Sequence, residues 1–290
     1  MDLFVQLVVN GLVIGSTYAV VALGFSLVFT VLRVINFAHP EIFMIGMFGG
    51  LASAKYIESI SLSILGGAIV GGIAGAILER VIIRPLRRRE MLMTLIATLG
   101  IGIALQNSMA LIVGPDSIPF PSLIARGSVN IANISLTYRH MFNFAVCIVI
   151  LIIISGYIRC TMWGKATQAV AERPDVASAF GIDVNRVSQI TIIIASVFGG
   201  VAAVSVGALY GTANAYVGTL YGLKSFVCML VAGNRYFEGV IVIAIGLGII
   251  EALITGYLSS GLRDAVAFSL LIFVLVLRPQ GLFGSYTEKV

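Results

Sequence analysis

Apolar runs long enough to cross a bilayer follow one another along almost the whole chain, at residues 3–32, 62–83, 91–113, 141–158, 187–210, 240–258 and 265–277, with a shorter run at 42–57. A spanning helix needs roughly 20 such residues. The expected fold is therefore an all-α polytopic membrane protein, a single transmembrane domain over residues 1–290. Composition leaves no soluble alternative, because 59% of the residues are hydrophobic, only 11% are charged and the mean hydropathy is +1.06. An ordinary soluble domain carries about a quarter charged residues, and so greasy a core would lack the polar surface to cover it. The first run follows Met1-Asp2 without a basic leader or a small-residue cleavage site, so it reads as a retained span.

Charge sets the orientation. Lys and Arg are densest at Arg80, Arg84, Arg87, Arg88 and Arg89 and again at Arg159, Lys165, Arg173 and Arg186, which puts both stretches in the cytoplasm. By parity the N-terminus is outside with Arg33 near the inner face, and the polar segment between residues 113 and 141 is external. The irregular region 211–235 decides whether there are eight crossings or nine; if it crosses, the C-terminus with Arg278 and Lys289 lies inside. A net charge of +5 beside apolar runs reflects this topology rather than nucleic-acid binding. Asn133-Ile134-Ser135 matches a glycosylation sequon, a match too short to carry weight. Cys147, Cys160 and Cys228 form no Cys-x-x-Cys pair, so neither a disulfide framework nor a metal site is indicated.

Two places interrupt the apolar pattern. At residues 36–41, Pro40 removes a backbone donor and disfavours helix at His39, so a helix breaks there. The freed backbone and the polar side chains of Asn36, His39 and Glu41 must face protein or a watery cavity. Two roles fit Asn36 and His39: tying the break internally, or lining a translocation route. The second break, residues 211–222, is rich in Gly, Asn and Thr and is followed by about ten apolar residues, which fits an unwound stretch with a short half-helix. Its N–H groups suit a carboxylate, and Asn214, Tyr216 and Tyr221 could flank a passing solute. Irregular packing with interfacial tyrosines fits the same residues.

Gly67, Gly71 and Gly75 stand four apart, as do Ala195, Gly199, Ala203 and Gly207, and such small-residue rows let helices approach closely in lipid. Residues 67–79 and 239–251 match in Gly, Ile, Val and a closing Glu and run in opposite directions, which suggests an inverted repeat. Glu79 and Glu251 could relay protons in an ion-coupled secondary transporter; both lie toward helix ends, where a structural role is the simpler reading. An intramembrane enzyme built on His39 and Glu41 would lack a nucleophile or metal constellation. The chain carries no nucleotide-binding loop.

Residues 159–186 form the one long segment that could not lie in lipid. A short amphipathic helix is expected over 165–172, and Pro174 suits the first turn of a second helix, with Asp175 near its positive end and Gly181 as its stop. Two small helices joined at Arg173 make a polar knob fit to receive force from another protein.

Several stretches together resemble one family: Asn10 through Ala19, Ile35 through Glu41, Glu79-Arg80 followed by Arg84-Pro85, Gly164 through Asp183, Gly222 through Phe226, and Arg278 through Gly284. In order and over essentially the whole chain they are similar to the membrane permease of bacterial branched-chain amino-acid ABC importers. The resemblance implies an inner-membrane subunit that pairs with a second homologous permease or with itself, two cytoplasmic ATPases and a periplasmic binding protein. It implies that ATP and Mg are bound on the partner ATPases and no cofactor on this chain. It also implies that Gly164, Lys165, Glu172, Arg173, Pro174, Asp175 and Gly181 belong to a loop that docks into the ATPase. Cargo would be a branched-chain amino acid or a related small polar solute. The chain departs from the family pattern at Pro40, where glycine is usual and proline should stiffen the break, and at residues 232–239, where Arg235 and Glu238 could pair.

Overall fold

The computed structural model describes residues 2–32, 35–87, 89–125, 127–131, 134–233 and 237–283. Arg33, Arg88, Arg235, Lys289 and Gly284, and Asn133 of the sequon, lie outside them. Helix α1 (Asp2–Leu32) is followed by α2 (His39–Tyr56) and α3 (Ile60–Leu78), which passes through a π turn at Glu79–Ile83 into the short α4 (Arg84–Leu86). Then come α5 (Met91–Val113), α6 (Tyr138–Cys160), α7 (Met162–Glu172), α8 (Pro174–Ala179) and α9 (Val184–Tyr210). The chain ends with α10 (Val217–Ala232), α11 (Phe237–Tyr257) and α12 (Arg263–Leu277). Among the described residues seven helical spans are long and apolar enough to cross a bilayer. The other two long helices, α2 and α10, are those that start at the breaks, and together these account for the upper end of the eight or nine segments expected.

Contacts at the helix ends fix which ends share a side. Arg159 at the end of α6 forms an ion pair with Glu238 at the start of α11, and Arg87 after α4 donates to Asn185 Oδ1 at the start of α9 over 2.8 Å. Leu282 N–H and Phe283 N–H donate to Val231 and Ala232 carbonyls at the end of α10. These ends lie with α7 and α8 on the basic side. On the other side Gln6 of α1 bonds to the backbone of Ser135. The N-terminal end of α1 and Ser135 are thus on one face, and Leu282 and Phe283 on the opposite one, as parity requires.

The polar segment between α5 and α6 folds more than its composition indicated. β2 (Ser128–Ile131) pairs antiparallel with β3 (Ile134–Thr137), and β1 (Ile118–Pro119) with β4 (Thr212–Ala213) just before α10. Strands this short carry almost no periodic signal.

Helices α1 and α9 form the centre, their apolar windows 83% and 67% buried. α1 packs most extensively on α11, and α9 on α3; α10 lies against α1 as α2 lies against α9. These pairings match under exchange of α1, α2 and α3 for α9, α10 and α11, but α2 packs far more extensively on α3 than α10 does on α11. Close approach depends on glycine: Gly11 and Gly15 abut Ile249 and Ile245, while Gly67, Gly71 and Gly46 abut Gly200. One expectation is corrected here. The small face of α9 that meets α3 is Ser196 and Gly200, whereas a Cβ on Gly199 would meet nothing within 4 Å, and Gly207 abuts Phe120 instead.

Candidate functional site

The first break lies before Pro40. α2 begins at His39 with Pro40 in its first turn, where a missing N–H costs nothing, so the proline starts the helix instead of disrupting it. Asn36 is buried and ties the break: its Oδ1 accepts from Ala38 N–H at 3.1 Å, and its carbonyl accepts from His39 N–H at 3.2 Å. Phe37 N–H donates to Thr98 Oγ1 of α5 at 3.3 Å. The His39 ring is buried edge-on to Phe25, centroids 5.1 Å apart, and touches Gly24, where no Cβ would fit. Gly24 lies about two turns, or ~12 Å, before the end of α1. The chain therefore turns back into the bundle after α1, and α2 starts well inside it.

The second break delivers α10 to the same place. Gly218 packs on Pro40 O and Glu41 Oε2, and Gly222 packs on the Pro40 ring. The N-terminal turns of α2 and α10 therefore meet. Glu41, only 5% exposed, accepts from Thr219 Oγ1 at 3.3 Å through Oε1, and Thr219 in turn accepts from Gln106 Nε2 at 2.6 Å. Beside them is a cavity of about 260 Å³ bounded by Glu41 and by apolar groups of α1, α5 and α10.

Asn36, His39 and Glu41 thus come together at one break, while Asn214 and Tyr216 do not join them. Asn214 Oδ1 accepts from Tyr216 N–H and its Nδ2 donates to Ser117 Oγ, which forms the turn ahead of α10. It borders a separate cavity of about 230 Å³ with Tyr18, Tyr210, Tyr221 and Arg263. Tyr216 is 44% exposed and borders neither cavity.

Beneath that second cavity lies a charge cluster that the sequence reading did not assemble. Glu251 is fully buried and receives Lys224 Nζ at 3.0 and 3.1 Å and Tyr18 OH at 3.0 Å, with Arg263 Nε at 3.6 Å. Lys224 also meets Asp264 at 2.9 Å. Glu79 is buried too and is paired with Arg87 at 3.2 Å. Both carboxylates therefore sit inside the fold as ion pairs. The signals for the missed residues were Lys224, the one charged residue of a short apolar helix, and the Gln106-Asn107 pair within α5, since polar groups in spans need partners.

On the basic side the 159–186 segment folds as two helices around Pro174. Thr161 Oγ1 caps α7 by accepting from Gly164 N–H at 2.9 Å, so this helix starts three residues earlier than its amphipathic stretch indicated. Gly181 has φ +83° and closes α8, with Ile182 N–H reaching Ala177 O. Val170, Ala177 and Val187 pack with Val31 at the end of α1, so the knob rests on both central helices. Lys165, Glu172, Arg173, Pro174, Asp175 and Gly181 are exposed, as are Phe180 (82%) and Met162 (80%). Gly164 is the exception: it is buried against the carbonyls of Tyr157 and Ile158, so it seats α7 on α6. Among the described residues no group of three or more His, Cys, Asp or Glu could hold a metal.

A family profile described as branched-chain amino acid transport system / permease component matches residues 7–277. The chain is 34% identical to the high-affinity branched-chain amino acid transport system permease protein LivH of Salmonella typhimurium, over 99% of this chain and 98% of that protein. It is 32% identical to the corresponding BraD of Pseudomonas aeruginosa over the same shares. Among solved structures it is similar to PsaBC from Streptococcus pneumoniae in complex with Fab, with a TM-score of 0.50 and 13% identity over 93% of this chain and 91% of that one. That likeness concerns the fold alone.

Proposed function

Because the chain belongs to the family of branched-chain amino acid transport permease components, we propose that it is the membrane subunit of an ABC importer in a bacterial inner membrane. It works with a second homologous permease or a second copy of itself, two cytoplasmic ATPases that carry ATP and Mg, and a periplasmic substrate-binding protein. The chain itself binds no cofactor. Its cargo is a branched-chain amino acid or a related small polar solute, passing a route bordered by the two helix breaks.

The observation that carries this reading is the knob of α7 and α8. Its inner face rests on the ends of α1 and α9, and its outer face leaves Lys165, Glu172, Arg173, Asp175 and the apolar Phe180 exposed. A push on that outer face is transmitted into α1, and α1 carries Gly24 and Phe25, against which the first break is packed. Force applied in the cytoplasm thus reaches the break through one rigid helix.

Reconstitution tests it. Proteoliposomes containing the chain and its co-purifying partners should accumulate leucine only with ATP inside the ATPase compartment. Uptake by the purified chain alone, driven by a proton or sodium gradient and indifferent to ATP, would sink the proposal.

A further inference from the structure

Among the described residues three carboxylates are buried, and two of them have a cation supplied by the chain: Arg87 for Glu79, and Lys224 with Arg263 for Glu251. Glu41 is the third. Its Oε1 is held by Thr219, its Oε2 has no hydrogen-bond partner, and no Lys or Arg among the described residues pairs with it. An isolated anion away from water is costly, and intramembrane carboxylates are kept where something pairs with them. Gln106, Thr219 and Glu41 form a chain of hydrogen bonds that fixes the carboxylate, an arrangement more elaborate than helix packing needs.

The space beside Glu41 has a shape and polarity that specify the missing partner. Phe25, Phe226 and Phe37 form one wall, with the Phe226 ring centroid 6.0 Å from that of Phe25 and 5.2 Å from that of Phe37, and Leu99 and Ile103 form the other. At about 260 Å³ it lies just below the usual span of small-molecule sites, roughly 300–1,000 Å³. That admits a single amino acid and excludes a peptide. Leu99, Ile103 and Leu223 on its rim are 40%, 53% and 41% exposed, so the cavity opens sideways between α5 and α10. Aromatic faces and one carboxylate suit an ammonium group, and the remaining apolar wall suits a branched hydrocarbon.

From this geometry we infer that the cavity beside Glu41 is a binding site of the permease itself for a branched aliphatic amino acid, with the ammonium on Glu41 and the side chain among Phe25, Phe37, Phe226 and Leu99. The inference rests on the transport reading above and identifies which end of the solute the membrane subunit recognises. Thr219 and Gln106 are positioning residues, holding the carboxylate through Oε1, while Oε2 packs against Gly218 at the cavity's edge.

The test is binding without ATP, by thermal shift and calorimetry on the full chain with its co-purifying partners in lipid nanodiscs. Leucine and isoamylamine, which lacks the carboxylate, should both bind; isocaproate, which lacks the amine, should not. Glu41→Gln should weaken leucine by about tenfold or more, the size of one charge-assisted hydrogen bond, and Thr219→Val by less. Should Glu41→Gln fail to fold, Leu99→Trp fills the cavity from its exposed rim and should abolish binding of both amines. Equal binding of isocaproate, full leucine affinity in Leu99→Trp, or a response to sodium alone to which leucine adds nothing would each overturn the assignment. ATP plays no part in these measurements, so failure of ATP-driven uptake would count against the importer reading and not against this site.

Discussion

Gly222 of α10 lies against the ring of Pro40 so closely that no Cβ fits between them. The two broken helices meet at that contact, and the residue pair sets how near the start of α10 comes to the start of α2. Gly222→Ala should therefore destabilise the protein by about 1–3 kcal/mol, the usual range for overpacking. Because the atoms met are Pro40 Cβ and Cγ, Pro40→Gly in the same chain should restore part of the loss. Gly100→Ala, where a Cβ meets nothing within 4 Å, is the neutral control. Thermal denaturation in detergent of the two single variants and the double variant measures the coupling.

Adjacent glycines of α9 should behave differently. Gly200→Ala drives a methyl into the carbonyl of Gly67 and should cost about 1–3 kcal/mol, while Gly199→Ala meets open space and should be neutral or slightly stabilising. Melting curves that rank these two the other way would refute the α3–α9 packing described here.

Lys224 is buried and bonded to both oxygens of Glu251. Lys224→Met should destabilise by about 3 kcal/mol, the lower end of the range for a broken buried pair, because Tyr18 and Arg263 still face the carboxylate. Adding Glu251→Gln removes the stranded charge, so the double variant should melt above the sum of the single losses. Additive losses would mean that the two groups do not share one interaction.

Gly181 is exposed and at φ +83°, with open space where a Cβ would stand. Gly181→Val is strained by backbone conformation alone, by about 1–2 kcal/mol. The strain falls on the turn between α8 and α9, so membrane insertion and leucine binding should persist while ATP-driven uptake falls. The ratio of leucine transported to ATP hydrolysed in proteoliposomes reads this directly, and an unchanged ratio would remove Gly181 from the coupling path.

Much of this architecture could be read one residue after another. Apolar runs marked the spans, clustered arginines marked one face, and the polar stretch 159–186 with Pro174 and Gly181 marked a two-helix knob whose boundaries moved by only a few residues. The breaks at Asn36 and Asn214 were visible because proline, glycine and asparagine interrupt a helix locally. What local pattern could not supply was the sense of Pro40, which starts α2, or the face of α9, where two neighbouring glycines were equally good candidates until α3 was docked on one of them.

Sequence by itself determined that this chain is a bundle of broken and continuous membrane helices with a polar two-helix knob, because hydropathy, charge and helix-breaking residues act within a few positions of themselves. Only the tertiary structure decided which buried carboxylates receive a cation. Glu41 meets Thr219 from 178 positions away, and Glu251 meets Tyr18 from 233 positions away. Helix packing alone brings such distant residues within bonding range, and it leaves Glu41 Oε2 buried without a hydrogen-bond partner.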